Sequence, residues 1–323
     1  MDETTSYRYV FGPVPSRRLG RSLGVDIIPP KHCSLNCVYC QLGQTPVPTT
    51  IRTDFAPVSE VVAEVKRKLE EGAVPDHITI AGSGEPTLHR RLGDIILGIK
   101  AVTQTPVALL TNGSMLYRPE IRAACSLADV VLPSLDAPDQ TVFEQINRPA
   151  GTVSFGQLVG GLKSLRDEYA GPIWLEVFLI EGINTSDESI ERFVRLFDEI
   201  RPDKIQINTA VRPTSEKDVV RVEQTVLERI ADRFGERAEV IADFAGNATP
   251  QNAGDKPAVT EQDVLDMLRR HPCSLENIVD GLAADRTEVE KRLHALLEAR
   301  AIVADQRFGV TFYLPSDTAD TDV

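Results

Sequence analysis

Three cysteines crowd into eight residues, Cys33, Cys37 and Cys40, within Pro29-Pro30-Lys31-His32-Cys33-Ser34-Leu35-Asn36-Cys37-Val38-Tyr39-Cys40. The chain has 5 cysteines in 323 residues, an odd number and too sparse for a disulfide scaffold, so the crowding points to metal. With the spacing C-x3-C-x2-C, three thiolates on one loop can each hold one iron of a four-iron cluster. The fourth iron is then left without a protein ligand, as in catalytic metal sites that keep a position open. Two plainer readings compete. Positions i, i+4 and i+7 also share one helix face, which would make these core thiols, although the prolines at 29 and 30 and the Gln41-Leu42-Gly43-Gln44-Thr45-Pro46 exit oppose a long helix here. A zinc site with His32 as fourth ligand would normally need a second cysteine knuckle, and Cys125 and Cys273 are remote. Cys125 shares an apolar helical stretch with Ile121, Ala124 and Leu127 and reads as core.

Other polar residues sit at or inside apolar runs. Gly82, Gly84 and Glu85 lie in Ala81-Gly82-Ser83-Gly84-Glu85-Pro86-Thr87-Leu88, Thr111 and Asn112 in Leu110-Thr111-Asn112-Gly113, and Ser134 in Pro133-Ser134-Leu135-Asp136. Taken singly, each has an ordinary reading: the glycines and Asn112-Gly113 as turns, Asp136 as a helix cap. Glu176 and Asn208 interrupt apolar strands and either face a ligand or are satisfied by backbone partners. Arg212, at a strand end, has the fork that binds carboxylate or phosphate. Residues 8–21 carry Arg8, Arg17, Arg18 and Arg21 and no acid, either to meet substrate phosphates or as a solvated lead-in to the first strand.

The elements that must position these residues are legible in the hydrophobic pattern. Short apolar runs at 22–29, 77–82, 107–113, 130–136, 173–181, 204–211 and 239–244 alternate with helical periodicity, as in Val61, Val62, Val65, Leu69 and in Ile190, Phe193, Val194, Leu196, Phe197. Ser186-Asp187-Glu188 supplies capping oxygens before the second of these helices. Six or seven βα units predict an α/β fold with an open parallel barrel of the (βα)6 type over residues 1–246, since a closed eight-fold barrel usually needs about 250 residues. A polar linker is expected at 247–257, then three helical patterns and two strands, a winged-helix-like order, over 258–315, and an acidic tail at 316–323.

Composition narrows the function. Hydrophobic residues make up 42% and charged residues 26%, an ordinary globular balance. No run of eighteen apolar residues appears and the first residues carry no apolar leader, so a cytoplasmic location with no membrane partner is expected. The 35 basic and 48 acidic residues give a net charge of −13, poor for a broad nucleic-acid surface. Residues 258–314 hold 7 basic and 10 acidic residues and a third helix of mixed sign, so DNA reading is not expected there, and docking of a protein or peptide substrate, or plain packing, fits better.

Cys33, Cys37 and Cys40, with Tyr39 just before the third, resemble the signature of the radical S-adenosylmethionine superfamily. The elements at 81–88, 110–113 and 133–136 resemble, in order, further elements of that superfamily, and together they span about the first 245 residues. Ser83 departs from the pattern, standing where many members have a second glycine. The resemblance implies a [4Fe–4S] cluster on the three cysteines and S-adenosyl-L-methionine as cofactor. One strongly reducing electron from the cluster would split a carbon–sulfur bond of that cofactor and start radical chemistry on a substrate the sequence does not name. It further implies a low-potential donor such as flavodoxin or ferredoxin, and a cofactor pocket formed by Gly82, Gly84, Glu85, Thr111, Asn112 and Ser134, with Tyr39 against the adenine and Glu85 accepting from the ammonium group. The segment 11–26 is similar to a prokaryotic group loosely related to wyosine-type tRNA-guanosine enzymes. Wyosine chemistry is disfavoured, because no cysteines remain for a second cluster and the acidic surface suits tRNA poorly. A non-catalytic iron–sulfur sensor with a winged-helix output is the reading from another class, and Glu85 with its flanking glycines argues against it.

Overall fold

The apolar runs become short parallel strands because each is followed by an amphipathic helix that must fold back onto the sheet to bury its stripe. The computed structural model describes residues 7–242, 259–282 and 284–316. The expected linker, and residues 317–323 of the tail, lie outside the described residues.

The first unit runs β1 (Val10–Ser16), β2 (Gly20–Val25), α1 (Val58–Glu70), β3 (His77–Ile80), a 3₁₀ turn (Pro86–Leu88), α2 (Leu92–Val102), β4 (Val107–Thr111), α3 (Pro119–Cys125) and β5 (Val130–Pro133). It continues with α4 (Gln140–Asn147), α5 (Phe155–Glu168), β6 (Trp174–Phe178), α6 (Asp187–Ile200), β7 (Lys204–Asn208), α7 (Gln224–Phe234) and β8 (Ala238–Val240). Strands β2 to β5 are parallel neighbours in sequence order, as are β6 to β8. Parallel bridges Val131↔Ile173 and Ser134↔Glu176 join the two halves, with Leu135 N–H donating to the Glu176 carbonyl at 2.9 Å. The fold is therefore mixed α/β with a parallel sheet.

One face of that sheet packs on the helices, while the alternate positions include Ser22, Thr79, Glu176, Gln206 and Asn208. Leu23, Val25, Ile78, Ile80, Val107, Leu109, Val131, Leu175, Val177, Ile205 and Ile207 are buried in one core with Ile95, Ile96, Ile99, Phe193 and Phe197 from the helices. Helix α6 starts where the pattern places it: the Ser186 hydroxyl accepts from Ser189 N–H, and Asp187 and Glu188 occupy the first turn. Cys125 is fully buried in α3, as expected of a core thiol.

One element departs from expectation. Residues 8–21 are not a lead-in. They contain β1, which pairs antiparallel with β2 from Val10↔Val25 to Ser16↔Gly20. The hairpin tip reaches the far end of the strand array, where the Arg17 guanidinium donates to the Ile241 carbonyl just past β8 at 3.1 Å.

The second unit comprises α8 (Glu261–Leu268), β9 (Cys273–Ser274), α9 (Leu275–Gly281), α10 (Arg286–Glu298), β10 (Ile302–Arg307) and β11 (Val310–Pro315). Its antiparallel sheet has the order β10-β11-β9, so the expected two strands gain a third short one. Val264, Leu268, Ile278, Val289, Leu293, Leu296 and Ile302 form an apolar cluster separate from the first. Contacts between described residues of the two units include three with arginines: Arg270 lies 3.9 Å from the Phe11 ring centroid, Arg221 lies 4.5 Å from that of Phe308, and Arg307 donates to the Lys217 carbonyl at 3.3 Å. No helix among the described residues is long and apolar enough to cross a membrane.

Candidate functional site

The loop leaving β2 carries the three cysteines to the C-terminal ends of the parallel strands. Prolines 29 and 30 keep it from becoming a helix, and backbone hydrogen bonds hold it in place. Thr49 N–H donates to the Cys33 carbonyl at 2.9 Å, Val38 N–H to the Ile146 carbonyl at 2.9 Å, and Ser215 N–H to the Cys40 carbonyl at 2.9 Å. The Ser215 hydroxyl also reaches the Cys37 and Val38 carbonyls at 3.0 and 2.8 Å. All three cysteines are half-buried and free. The core-helix reading of these thiols is overturned, since the segment is loop.

Burial, then the charge of Glu85, pushes the Cys33 thiol up to about 12. Burial and then Asp136 push Cys37 up as well. Amide donors work in the opposite direction: Asn112 Nδ2 donates to Cys33 Sγ at 3.4 Å and Asn147 Nδ2 to Cys37 Sγ at 3.3 Å. Such contacts favour thiolate and recur around metal-bound sulfur. Thiols that resist ionisation by themselves, yet are supplied with N–H donors, suit a site whose charge is completed by a bound cation. Lys31, held at φ 64, has a buried ammonium with no hydrogen-bond partner among the described residues, and burial pulls its pKa down. Three sulfurs for a cubane need not converge on one point, because each meets a different iron. The residues therefore fit a [4Fe–4S] cluster. They do not form the zinc arrangement, for His32 is packed edge-on against Phe55 with ring centroids 5.0 Å apart.

The loop after β3 locks onto the cysteine loop. Lys31 N–H donates to the Ser83 carbonyl at 2.8 Å and Glu85 N–H to the His32 carbonyl at 2.9 Å. This contact explains the two glycines. A Cβ on Gly82 would sit 2.1 Å from Asp26 Oδ1, and one on Gly84 would sit 2.1 Å from the His32 carbonyl oxygen. Ser83, the departure from the family pattern, donates through its hydroxyl to Asp26 Oδ2 at 2.6 Å and through its N–H at 3.1 Å. Glu85 is buried and heavily engaged. Its Oε1 accepts from the Thr87 hydroxyl at 2.6 Å, Thr87 N–H at 3.0 Å and the Thr111 hydroxyl at 2.6 Å, while Oε2 accepts only from Asn112 N–H at 2.8 Å. Burial raises its pKa and these donors lower it, with burial prevailing. Oε2 keeps capacity for a further donor. Asn112 Nδ2 also reaches the Ser34 hydroxyl at 3.0 Å.

Tyr39 stacks on Phe178 with centroids 3.9 Å apart and donates its hydroxyl to Asp136. Asp136 is not a helix cap, since Asp139 caps α4. Its carboxylate instead gathers Tyr39, Asn147 Nδ2 at 2.9 Å and Phe178 N–H at 2.9 Å, and burial pushes its pKa up to about 6. Ser134 follows β5 and bridges Glu176. Glu176 is satisfied by side chains: Arg18 at 2.5 Å and Asn208 Nδ2 at 3.0 Å. Arg212, half-buried, follows β7. The structure thus brings Cys33, Cys37, Cys40, Glu85, Thr111 and Asn112 into one hydrogen-bonded neighbourhood, with Tyr39 joined to it through Asp136 and Asn147.

Sequence reasoning missed Asp26, Lys31 and Asn147. Asn147 precedes Arg148, in left-handed conformation, and Pro149, a pattern that signals only a turn. Its role is set by tertiary contact.

Comparison with known proteins places these features in a family. A family model described as Radical SAM superfamily matches residues 27–197. A protein named GTPase Obg from Brachyspira hyodysenteriae is 37% identical over 94% of this chain, which spans 45% of that protein. A UPF0026 protein from Methanocaldococcus jannaschii is 31% identical over 84% of this chain and 85% of its own length. Among solved structures, a radical SAM methyltransferase from Sphaerobacter thermophilus aligns with TM-score 0.51 and 18% identity over 68% of this chain and 66% of that one, a likeness of fold.

Proposed function

Because the chain belongs to the radical S-adenosylmethionine superfamily, we propose that it is an enzyme that holds one [4Fe–4S] cluster on Cys33, Cys37 and Cys40 and binds S-adenosylmethionine beside it. The observation that carries this reading is the joining of the cysteine loop to Glu85, Thr111 and Asn112, with an amide donor on the sulfur of Cys33 and another on that of Cys37. A mere cluster holder has no need of a buried carboxylate presented next to the cysteines. When bound, cluster and cofactor supply one-electron cleavage of a carbon–sulfur bond, which starts radical chemistry on the substrate.

The chain's own residues do the rest. Asp26 and the two glycines lock the loop carrying Glu85 against the cysteine loop, and Glu85 Oε2 receives the cofactor's ammonium as a charge-assisted acceptor. Gly82, Gly84, Thr111, Asn112 and Ser134 form the cofactor pocket around it. Tyr39, with one ring face held on Phe178 and its hydroxyl on Asp136, presents its other face or its edge to the adenine. The parallel strands act as an open partial barrel whose mouth excludes water from the reacting atoms. The second unit is a winged-helix-like module that meets the substrate or a protein partner rather than DNA, and a flavodoxin or ferredoxin delivers the electron. A wyosine-type reaction on tRNA remains a minor form of the same reading, disfavoured by the net charge of −13.

The test is anaerobic reconstitution followed by iron analysis and a search for 5′-deoxyadenosine under a strong reductant. About four irons per chain and reductive cleavage are expected. A cluster that forms without any cleavage would transfer the case to the sensor reading.

A further inference from the structure

We propose that Lys31 supplies the positive charge that answers the cluster on its Cys40 side, and that this charge raises the cluster's reduction potential so that a donor can load the electron. The inference rests on the proposed function, since it concerns the cluster that Cys33, Cys37 and Cys40 are read to hold. The geometry places the ammonium in three steps. Lys31 stands two residues before Cys33, and its backbone is pinned there: Lys31 N–H donates to the Ser83 carbonyl at 2.8 Å and His32 N–H to the Pro29 carbonyl at 3.1 Å. The side chain crosses to the far end of the cysteine loop, where a Cβ on Gly43 would sit 3.4 Å from Lys31 Nζ and 4.0 Å from its Cε. Gly43 N–H donates to the Cys40 carbonyl at 3.3 Å and Cys40 N–H to the Cys37 carbonyl at 3.1 Å, so the ammonium lies against the turn that carries Cys40.

Nothing in the protein answers this ammonium. Nζ is shut off from solvent and makes no hydrogen bond among the described residues, and the charged groups that act on it are the sulfurs of Cys40 and Cys33. Lys31 also holds its place at φ 64, in the left-handed region where glycine or asparagine would be less strained, so the turn itself does not call for lysine. A buried cation without a partner is costly, and this one stands where the chain is built to acquire an anion. The three sulfurs are not served alike. Cys33 Sγ accepts from Asn112 Nδ2 at 3.4 Å and Cys37 Sγ from Asn147 Nδ2 at 3.3 Å, whereas Cys40 Sγ has no side-chain donor among the described residues. Lys31 fills that gap with a full charge instead of an amide dipole.

The direction of the effect follows from the charges. Reduction adds one negative charge to an assembly already anionic through its three thiolates, and the net charge around such a cluster helps set its potential. Glu85 acts on Cys33 and Asp136 on Cys37, and both carboxylates make the added electron harder to place. A cation sealed into the same low-dielectric surroundings makes it easier. Lys31 thus tunes the potential and takes no part in bond breaking.

The experiment titrates the reconstituted wild type, Lys31→Met and Lys31→Arg potentiometrically without S-adenosylmethionine, the reduced cluster being counted by electron paramagnetic resonance. Lys31→Met should lower the midpoint by about 59 mV or more, a tenfold fall in the ratio of reduced to oxidised cluster at a fixed potential, while Lys31→Arg stays near the wild type. Thermal unfolding of the cluster-free chains is the second measurement. Lys31→Met should melt no lower than the wild type, because the ammonium has no internal partner to lose. Equal midpoints in wild type and Lys31→Met overturn the inference, and so does an equal drop in Lys31→Arg, which would make the effect one of packing. A lower melting temperature in cluster-free Lys31→Met overturns it as well, by showing a partner within the protein. An unchanged midpoint with weaker S-adenosylmethionine binding would assign Lys31 to the cofactor instead. A chain that forms no cluster removes the proposed function and this inference together, whereas a shifted midpoint in protein that never cleaves S-adenosylmethionine supports the inference while the enzyme reading fails.

Discussion

Replacing Arg18 by Met tests whether the ion pair with Glu176 is a structural fastener between the β1–β2 hairpin and the parallel strands. The pair is 2.5 Å long, with side-chain exposures of 18% and 16%, so both partners are largely desolvated. Burial pushes the Glu176 pKa up, but Arg18, helped by the Asn208 hydrogen bond, outweighs it, and the net shift is downward. A carboxylate held below its ordinary pKa contributes stability that is present above the unfolded value, about 4.3, and is lost as pH falls through the lower folded value. Removing Arg18 leaves Glu176 buried with the Asn208 hydrogen bond and the weaker field of Arg17. Burial then prevails, the folded pKa rises above the unfolded one, and the variant loses stability as pH climbs through that window. The deficit should therefore be widest near neutrality and shrink as pH falls from the variant's raised pKa towards the wild type's lowered one, below which Glu176 is protonated in both proteins. Breaking a buried pair from one side costs about 3–5 kcal/mol. At about 2–4 °C per kcal/mol for a unit of this size, the melting temperature at pH 7 should fall by roughly 6–20 °C. Arg18→Met with Glu176→Leu should recover much of that loss, since the second change removes the unpaired charge. The assay is thermal unfolding by circular dichroism across pH for the four members of the cycle. A loss under about 1 kcal/mol in both single variants, the value of an exposed pair, would refute the reasoning.

Anaerobic reconstitution of Cys33→Ala, Cys37→Ala or Cys40→Ala should give sharply reduced iron and no cofactor cleavage, whereas Cys125→Ala and Cys273→Ala should retain about four irons. Iron loss in the Cys125 variant would break the single-cluster assignment. Glu85→Gln should preserve the cluster but weaken S-adenosylmethionine binding on the order of 10- to 100-fold, measured by equilibrium dialysis, and unchanged affinity would move the pocket elsewhere. Asp136, at a pKa of about 6, favours folding when protonated, so its contribution is present at low pH and is lost as pH rises through that value. In cluster-free protein, Asp136→Asn should remove a decline of about 3 kcal/mol between roughly pH 4 and pH 7, and a melting profile that keeps its slope would show the carboxylate to be ionised throughout.

The expected chemistry of this protein was legible in one dimension wherever it depends on local spacing. Cys33, Cys37 and Cys40 sit on one loop, so no tertiary contact is needed to bring them near one another, and their intervals are what suggested an open metal site. The alternation of apolar runs and amphipathic stripes likewise predicts parallel strands with covering helices, because those periods are properties of the strand and helix backbones. The order of Glu85, Thr111 and Asn112 at strand ends follows from the same alternation, which delivers each strand's C-terminus to one side of the sheet.

What only the tertiary structure decided was which polar groups satisfy each other across long separations. Residue types at 26, 83, 136 and 147 are consistent with turns and caps, and nothing in their spacing links Asp26 to Ser83 or Asn147 to Cys37. The glycines at 82 and 84 also let their loop pack against Asp26 and the His32 carbonyl, close approaches that the sequence does not announce. The arginines of the first segment illustrate the limit most clearly. Their run without acids predicts a basic surface, yet the hairpin turns Arg18 onto Glu176 and Arg17 onto the end of β8. A side chain's charge is written in the sequence, but whether that charge is spent on a partner or kept for a ligand depends on what lies opposite it. For residues separated by more than a hundred positions, that is settled only when burial makes an unpaired charge costly and the chain packs to answer it.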